Sequence, residues 1–304
     1  MSRNDVRNVA ASVRQKLLNR SRAKGEDFLF LITRYALERF LYRLGRSVHN
    51  DRFVLKGALL FALWEGDLHR VTRDVDLLGF GSPALPEMER VIREICEADV
   101  EDDGMLFLPN QVRSAPIRED QEYEGVRIVV PGRLATARVR LQIDVAFGDA
   151  VTPQPEEAVF PTLLDAPAPV LRTYPRETVV AEKLQAMVML GIANSRMKDF
   201  FDVAYLARHF SFGGPLLVKA LTNTFTRRRT ALPTRLPMAL TDEFAKDRAK
   251  QTQWSAFVRK AGLEVDENLD HIIAHIRDFA APPLSAAASG VSFEQTWVPP
   301  GPWR

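Results

Sequence analysis

Between residues 150 and 175 the chain places Pro153, Pro155, Pro161, Pro167, Pro169 and Pro175. Proline fixes φ and lacks an N–H, so neither a continuous helix nor a central strand is expected to run through such a stretch. The segment 151–176 therefore reads as an extended connection and a domain boundary. It also separates two hydrophobic rhythms. Upstream, short apolar runs and clean alternation have strand character. Downstream, the periodicity is helical throughout.

The upstream part begins with helix. Val6, Val9, Val13 and Leu17 recur at helical spacing within residues 1–24, and the apolar positions Phe28, Leu31, Tyr35, Phe40, Leu41 and Leu44 continue it over 26–44. Phe53-Val54-Leu55 reads as a short buried strand broken at Gly57, with a helix from Leu59 to Trp64. Val75 to Phe80 reads as a second strand, stopped by Gly81-Ser82-Pro83, and residues 86–99 as an amphipathic helix. Arg127 to Val130 is a strand that Pro131-Gly132 is expected to turn. Over 137–147 the apolar Val139, Leu141, Ile143 and Val145 alternate with Arg138, Arg140, Gln142 and Asp144, a strand buried mainly on one side. Past the prolines, helices are expected at 177–191, 196–210, 214–228, 238–261 and 266–280. Residues 282–304, rich in Pro and Ala, read as a tail whose Phe293, Trp297 and Trp303 can dock on the body. The fold class is α/β (α+β): a small mixed-sheet core at 49–150, basic helices at 1–48, a helical C-terminal domain at 177–281 and the tail at 282–304.

Charge is distributed unevenly along this plan. The net charge is +2, yet residues 1–50 carry eleven basic and four acidic side chains, and residues 51–150 carry twelve and nineteen. A basic lead-in suits a polyanion partner, and an acidic middle suits a cation site or a solvated surface. Cys96 is the single cysteine, which excludes an internal disulfide and a multi-cysteine zinc site and fits a reducing cytoplasm. No run of about 18 uncharged apolar residues suggests a membrane span, and no apolar segment follows the N-terminal charges as in a secretory signal. His271 and His275 share helical spacing, but no Glu follows His271 as a zinc-protease motif requires.

The strongest local signal for chemistry is Arg70-Val71-Thr72-Arg73-Asp74-Val75-Asp76-Leu77. Two aspartates separated by one strand residue face the same way, about 6.5–7 Å apart along the chain. Like charges so placed repel unless water or a cation neutralises them. Lys56-Gly57-Ala58 sits at a strand-to-helix turn where backbone N–H groups can approach phosphates. Asp144 is an acid on the polar side of a later strand. Three carboxylates on neighbouring strands can hold cations for phosphoryl transfer. A second cluster lies on the C-terminal helices. Lys183 interrupts an apolar helix, and in Arg196 to Leu206 the residues Asp199 and Asp202 share a face at i, i+3, as do Lys198 and Asp202 at i, i+4.

In this order the motifs resemble the AbiEii/AbiGii toxin family of nucleotidyltransferases, the toxic half of type IV toxin–antitoxin and abortive-infection systems. The family runs Lys-Gly-Gly, then Arg-x-Ser-x-Asp-x-Asp, then Glu-Lys-Leu-x-Ala, then Arg-x-Lys-Asp-x-x-Asp-Leu. This chain matches from Phe53 to Leu60, Arg70 to Leu77, Glu182 to Ala186 and Arg196 to Leu206, so the resemblance covers roughly residues 50–210. Ala58 replaces the second glycine, Leu59 stands where Ser or Thr often helps hold the triphosphate, and Thr72 replaces Ser while keeping a hydroxyl.

The resemblance implies a DNA polymerase β-like nucleotidyltransferase core. It assigns Asp74, Asp76 and Asp144 to Mg²⁺ (Mn²⁺ as a substitute), with Asp144 helping to deprotonate the attacking hydroxyl. Lys183 would neutralise a nucleoside triphosphate (NTP), and Asp199 would orient Lys183 or line the nucleotide pocket. Lys56, Gly57, Ala58, Arg70, Thr72, Lys198 and Asp202 complete the expected nucleotide-binding set. The expected acceptor is RNA, in particular the tRNA 3′ end, with a cognate antitoxin as partner and no membrane. The basic N-terminal helices and Arg227-Arg228-Arg229, with Arg235, are candidate tracks for a nucleic-acid backbone. Three other readings stay open: nucleotidylation of a protein, a metal-dependent RNase, and a non-catalytic RNA- or partner-binding module.

Overall fold

A computed structural model describes residues 8–66, 72, 74–117, 125–263 and 268–304. The residue expectations at Val6, Arg70 and Arg73 lie outside the described residues. The chain divides into two compact units: the described residues up to Gly148 with Glu156–Thr173, and Asp149–Pro155 with Tyr174–Arg304.

The first unit opens with two helices whose starts are set by side-chain caps. Asn8 accepts from the Ala11 N–H ahead of α1 (Val9–Lys24), and Asp27 accepts from the Phe30 N–H ahead of α2 (Phe28–Arg46). Gly25, in the left-handed region at φ 69°, ends α1. α2 is buried on nearly all sides, and that includes Arg34, Glu38, Arg39 and Arg43. Its charges are partly satisfied inside the unit, with Glu38 Oε1 and Arg39 Nε and Nη2 buried without a hydrogen bond among the described residues. Arg43 donates to both Asp103 carboxylate oxygens at 2.6 and 3.1 Å, Arg39 donates to the Pro167 carbonyl at 3.0 Å, and Glu38 accepts from the Leu163 N–H at 2.9 Å. Part of the basic excess of residues 1–50 is thus core structure rather than a surface for a polyanion.

The remaining elements of the unit are β1 (Phe53–Lys56), α3 (Leu60–Glu65), β2 (Asp74–Gly79), α4 (Leu85–Cys96), β3 (Met105–Phe107), β4 (Arg113–Ile117), β5 (Gly125–Leu134), β6 (Ala137–Phe147), β7 (Glu156–Val159) and β8 (Val170–Thr173). Among the described residues the strands form one mixed sheet in the order β3-β5-β6-β2-β1-β8-β7, with β4 also on β5. β2 and β6 run parallel, and β1 is antiparallel to β2. Val75, Leu77, Val126, Ile128, Val139, Leu141, Ile143 and Val145 fill one face, which α2 and α4 cover.

Two sequence expectations change here. Pro131-Gly132 does not turn the chain; β5 passes straight through both. Pro131 pairs with Arg140, and its carbonyl accepts from the Leu108 N–H at 2.9 Å. A Cβ on Gly132 would lie 2.5 Å from Met105 Cε and 3.0 Å from the Leu106 carbonyl oxygen, so glycine admits β3 at close approach. The reversal falls instead at Ala135-Thr136, where Ala135 has φ 51°. The proline-rich connection also contains β7 and β8, which extend the sheet at its margin, where a strand tolerates missing donors.

The second unit holds α5 (Arg176–Leu190), α6 (Met197–His209), β9 (Phe212–Gly213), α7 (Gly214–Arg227), α8 (Asp242–Lys246), α9 (Arg248–Ala261), α10 (Leu269–Ser289) and β10 (Thr296–Trp297). The single helix expected over 238–261 is broken at Asp247, whose carboxylate caps α9 by accepting from the Lys250 N–H. α10 does not stop before Pro282 and Pro283 but runs through them to Ser289. Pro283 has no N–H for the Phe279 carbonyl one turn earlier; the Trp303 indole N–H donates to that oxygen at 2.9 Å instead. Trp297 is 1% exposed, donates to the Ala207 carbonyl and packs against Phe279 and Trp303, so the C-terminal residues belong to this unit's core.

Candidate active site

On the sheet face opposite the α2/α4 core, four consecutive strands contribute one residue each to a single register row. Lys56 on β1 is paired with Asp76 on β2, Asp76 with Asp144 on β6, and Asp144 with Arg127 on β5. Neighbouring strands lie about 4.8 Å apart, so the row sets two carboxylates side by side between two cations. Asp74 lies two residues before Asp76, on the same face, opposite Gln142. The three aspartates are half-buried. The structure therefore brings Asp74, Asp76 and Asp144 onto one face, with Lys56 beside them.

Gly57 shapes the edge of this row. Its φ is +74°, and a Cβ there would stand 2.0 Å from Asp76 Oδ2. The glycine lets the β1-to-α3 turn lie directly against the carboxylate. Ala58 and Leu59 are buried in that turn, and Thr72 is half-buried ahead of β2. α3 is only six residues long, so the turn's backbone N–H groups, rather than a helix dipole, are what this corner offers to an anion.

Arg127, which the sequence did not single out, makes a two-pronged contact with Asp144. Its Nε donates to Asp144 Oδ1 at 2.9 Å and its Nη2 to Asp144 Oδ2 at 2.7 Å. Gln142 Nε2 donates to the same Oδ2 at 3.2 Å. The Asp144 hydrogen bond raises the Arg127 pKa, burial opposes it, and the charges of Asp144, Asp74 and Asp76 add to the rise. A signal was available in the alternation of β5, where Arg127 is a charged residue between the buried Val126 and Ile128.

The donor set, three hard carboxylates on adjacent strands, suits a divalent cation such as Mg²⁺. Among the described residues, however, no group of three or more His, Cys, Asp or Glu side chains is arranged to hold one. The backbone positions fit the ion; the side chains, with Asp144 engaged by Arg127, are not closed around it.

The second cluster is built inside the helical unit. Lys183 on α5 donates to Asp199 Oδ1 at 2.7 Å and Asp202 Oδ2 at 2.8 Å, both on α6. Arg196 adds a 2.7 Å bond to Asp199 Oδ2. Burial works to raise the Asp199 pKa, but the charges of Lys183 and Arg196 outweigh it and hold the carboxyl below its ordinary range. Lys198 does not share this face: it is exposed, whereas Asp202 is fully buried. The i, i+3 partner that matters is Arg196 to Asp199. Arg228 is likewise not a surface track. Its guanidinium is 15% exposed and bridges Asp149 at 2.9 Å and Glu182 at 3.2 Å.

A carboxylate pair on a mixed sheet beside a glycine turn is an arrangement suited to phosphoryl-transfer chemistry. A family model described as nucleotidyl transferase AbiEii toxin, type IV toxin–antitoxin system, matches residues 39–281, and the chain belongs to that family. Two solved structures from Helicobacter pylori are similar in fold. JHP933 has 14% identity and a TM-score of 0.48, covering 86% of this chain and 90% of its own. A candidate nucleotidyltransferase has 16% identity and a TM-score of 0.47, covering 85% and 92%. No curated protein matches the chain. Among the described residues no helix is long and apolar enough to cross a membrane.

Proposed function

We propose that the chain is a cytoplasmic toxin that transfers a nucleoside monophosphate from an NTP to an RNA hydroxyl, the tRNA 3′ end in particular, and so blocks translation. The observation that carries this reading is the row that pairs Asp76 with Asp144 on adjacent strands, with Asp74 two residues away. Asp74, Asp76 and Asp144 would hold Mg²⁺, or Mn²⁺ in its place. The ion, when bound, offsets triphosphate charge and favours the ionised acceptor hydroxyl.

The protein groups do the rest. An Asp144 oxygen accepts the proton of the acceptor hydroxyl, whose oxygen forms a bond to the α-phosphorus. The bond from that phosphorus to its bridging oxygen breaks, and pyrophosphate leaves with the electron pair. Backbone N–H groups of the Gly57–Leu59 turn, with Lys56, Arg70 and Thr72, serve the phosphates. Lys183, held by Asp199 and Asp202, supplies compensating positive charge, and exposed Lys198 has a secondary role. Among the described residues, exposed Lys16, Arg22, Lys24 and Arg46 are the basic residues that remain for RNA on the N-terminal helices. Membership of a type IV toxin family supports a cognate antitoxin as partner.

The test is incubation with each labelled NTP, Mg²⁺, and either total tRNA or cell protein. Label on RNA, lost with Asp76→Asn, is expected. Label on protein would move the acceptor to a protein hydroxyl. Shortening of RNA without added nucleotide would make the chain a nuclease. No reaction under any condition, with RNA still bound, would leave a binding module.

A further inference from the structure

Within the carboxylate set, Asp144 is held by neighbouring side chains. Both Asp144 oxygens are engaged, Oδ1 by Arg127 Nε and Oδ2 by Arg127 Nη2 and Gln142 Nε2. Arg127 is the register partner of Asp144, so the sheet sets the two side chains directly opposite one another. The Arg127 side chain is 47% exposed and the Asp144 side chain 18%, so the cation can move toward solvent while the carboxylate stays in place. An ion pair exposed to this degree is weak enough for a dication to displace.

We propose that Arg127 is a resident counter-ion of the active site: without nucleotide its guanidinium takes the place of a divalent cation's charge on Asp144, and it must leave Asp144 before that cation binds. The inference rests on the reading of the three aspartates as a metal site. Its consequence is a threshold. Metal affinity without nucleotide is held down, which limits idle occupancy. The released guanidinium gains a new anionic partner when a triphosphate arrives, so metal and nucleotide favour one another beyond what their direct contact supplies.

The experiment titrates Mn²⁺ into the full chain without nucleotide, following free Mn²⁺ by electron paramagnetic resonance, with circular dichroism confirming that each variant is folded. Arg127→Met is expected to bind Mn²⁺ about three- to tenfold more tightly than the wild type. Arg127→Lys, which keeps the charge but not the two-pronged geometry, is expected to fall between. In an Asp144→Asn background the further Arg127→Met change is expected to have no effect. Unchanged or weaker Mn²⁺ binding by Arg127→Met, while Asp76→Asn still abolishes binding, overturns the counter-ion role alone. An equal gain in the Asp144→Asn background overturns it too, since the effect is then general charge. Binding that no aspartate substitution disturbs overturns the metal-site reading and this inference with it.

Discussion

At Gly57 two independent demands meet on one residue. The backbone is at φ +74°, and the place a Cβ would occupy is filled by the Asp76 carboxylate. Gly57→Ala is therefore expected to cost about 1 kcal/mol from the backbone alone and more from displacing Asp76. Transferase activity should fall by far more than a loss of folded protein explains. Urea unfolding beside labelled-NTP incorporation checks both parts. Lys183 carries a different load. Without its ammonium group, two almost fully buried carboxylates would face one another. Lys183→Met is expected to destabilise the chain by about 3–5 kcal/mol. Because the Asp199 pKa is lowered in the folded state, the stability it contributes is present above its ordinary value of 3.8 and is lost as pH falls through the folded value. Acid unfolding should accordingly be less steep in Asp199→Asn, followed by circular dichroism. The sequence carried the Asp-x-Asp pair and the Asp199/Asp202 face because each is a local spacing, whereas Lys183, sixteen and nineteen positions from its two partners, was tied to them only by the family resemblance. It did not carry Arg127, whose meaning lies in a cross-strand register that connects it to a residue seventeen positions away.

Elements repeat this contrast between local and distant causes. β6 was legible because alternation along one strand is local, and the burial of Val139, Leu141, Ile143 and Val145 follows it. The passage of β5 through Pro131-Gly132 was not, because it depends on β3 lying across Gly132. α10 passes through two prolines for a similar reason: a tryptophan from the C-terminal residues donates to the carbonyl that Pro283 leaves without its helical partner. Trp303→Phe keeps most of the buried surface but orphans the Phe279 carbonyl, and is expected to lower stability by about 1–3 kcal/mol in thermal unfolding. In α2, burial pushes the Glu38 pKa up to about 7, against the Leu163 N–H and nearby arginines. Its folded value lies above the unfolded one, so the associated stability is complete below about 4.5 and is lost as pH rises through about 7. Glu38→Gln keeps an acceptor for Leu163, and its urea midpoint should vary less between pH 5 and pH 8.5 than that of the wild type.

Across the whole chain, charge counted by sequence window overstated what is offered to a nucleic acid. Arg34, Arg39 and Arg43 are buried in α2, and Arg228 is committed to Asp149 and Glu182. Arg228→Met is expected to destabilise the helical unit by about 3–5 kcal/mol while leaving the salt dependence of RNA binding unchanged. Under the proposed RNA acceptor, replacing Lys16, Arg22 and Lys24 together should do the reverse, weakening RNA binding and flattening its dependence on salt. Filter binding at several salt concentrations separates the two. The Arg228 pair also shows how the chain is divided. Residues 149–155 visit the helical unit, where Asp149 meets Arg228 and Thr152 bonds Thr178, before residues 156–173 return to the sheet. A single genetic crossover between related genes, at residue 150 or at residue 176, would splice one lineage's visiting segment to another's helices or strands. The units alternate at three junctions, 148/149, 155/156 and 173/174, so each can be inherited intact from a different parent only through three exchanges, and the motifs of both clusters are expected to travel together.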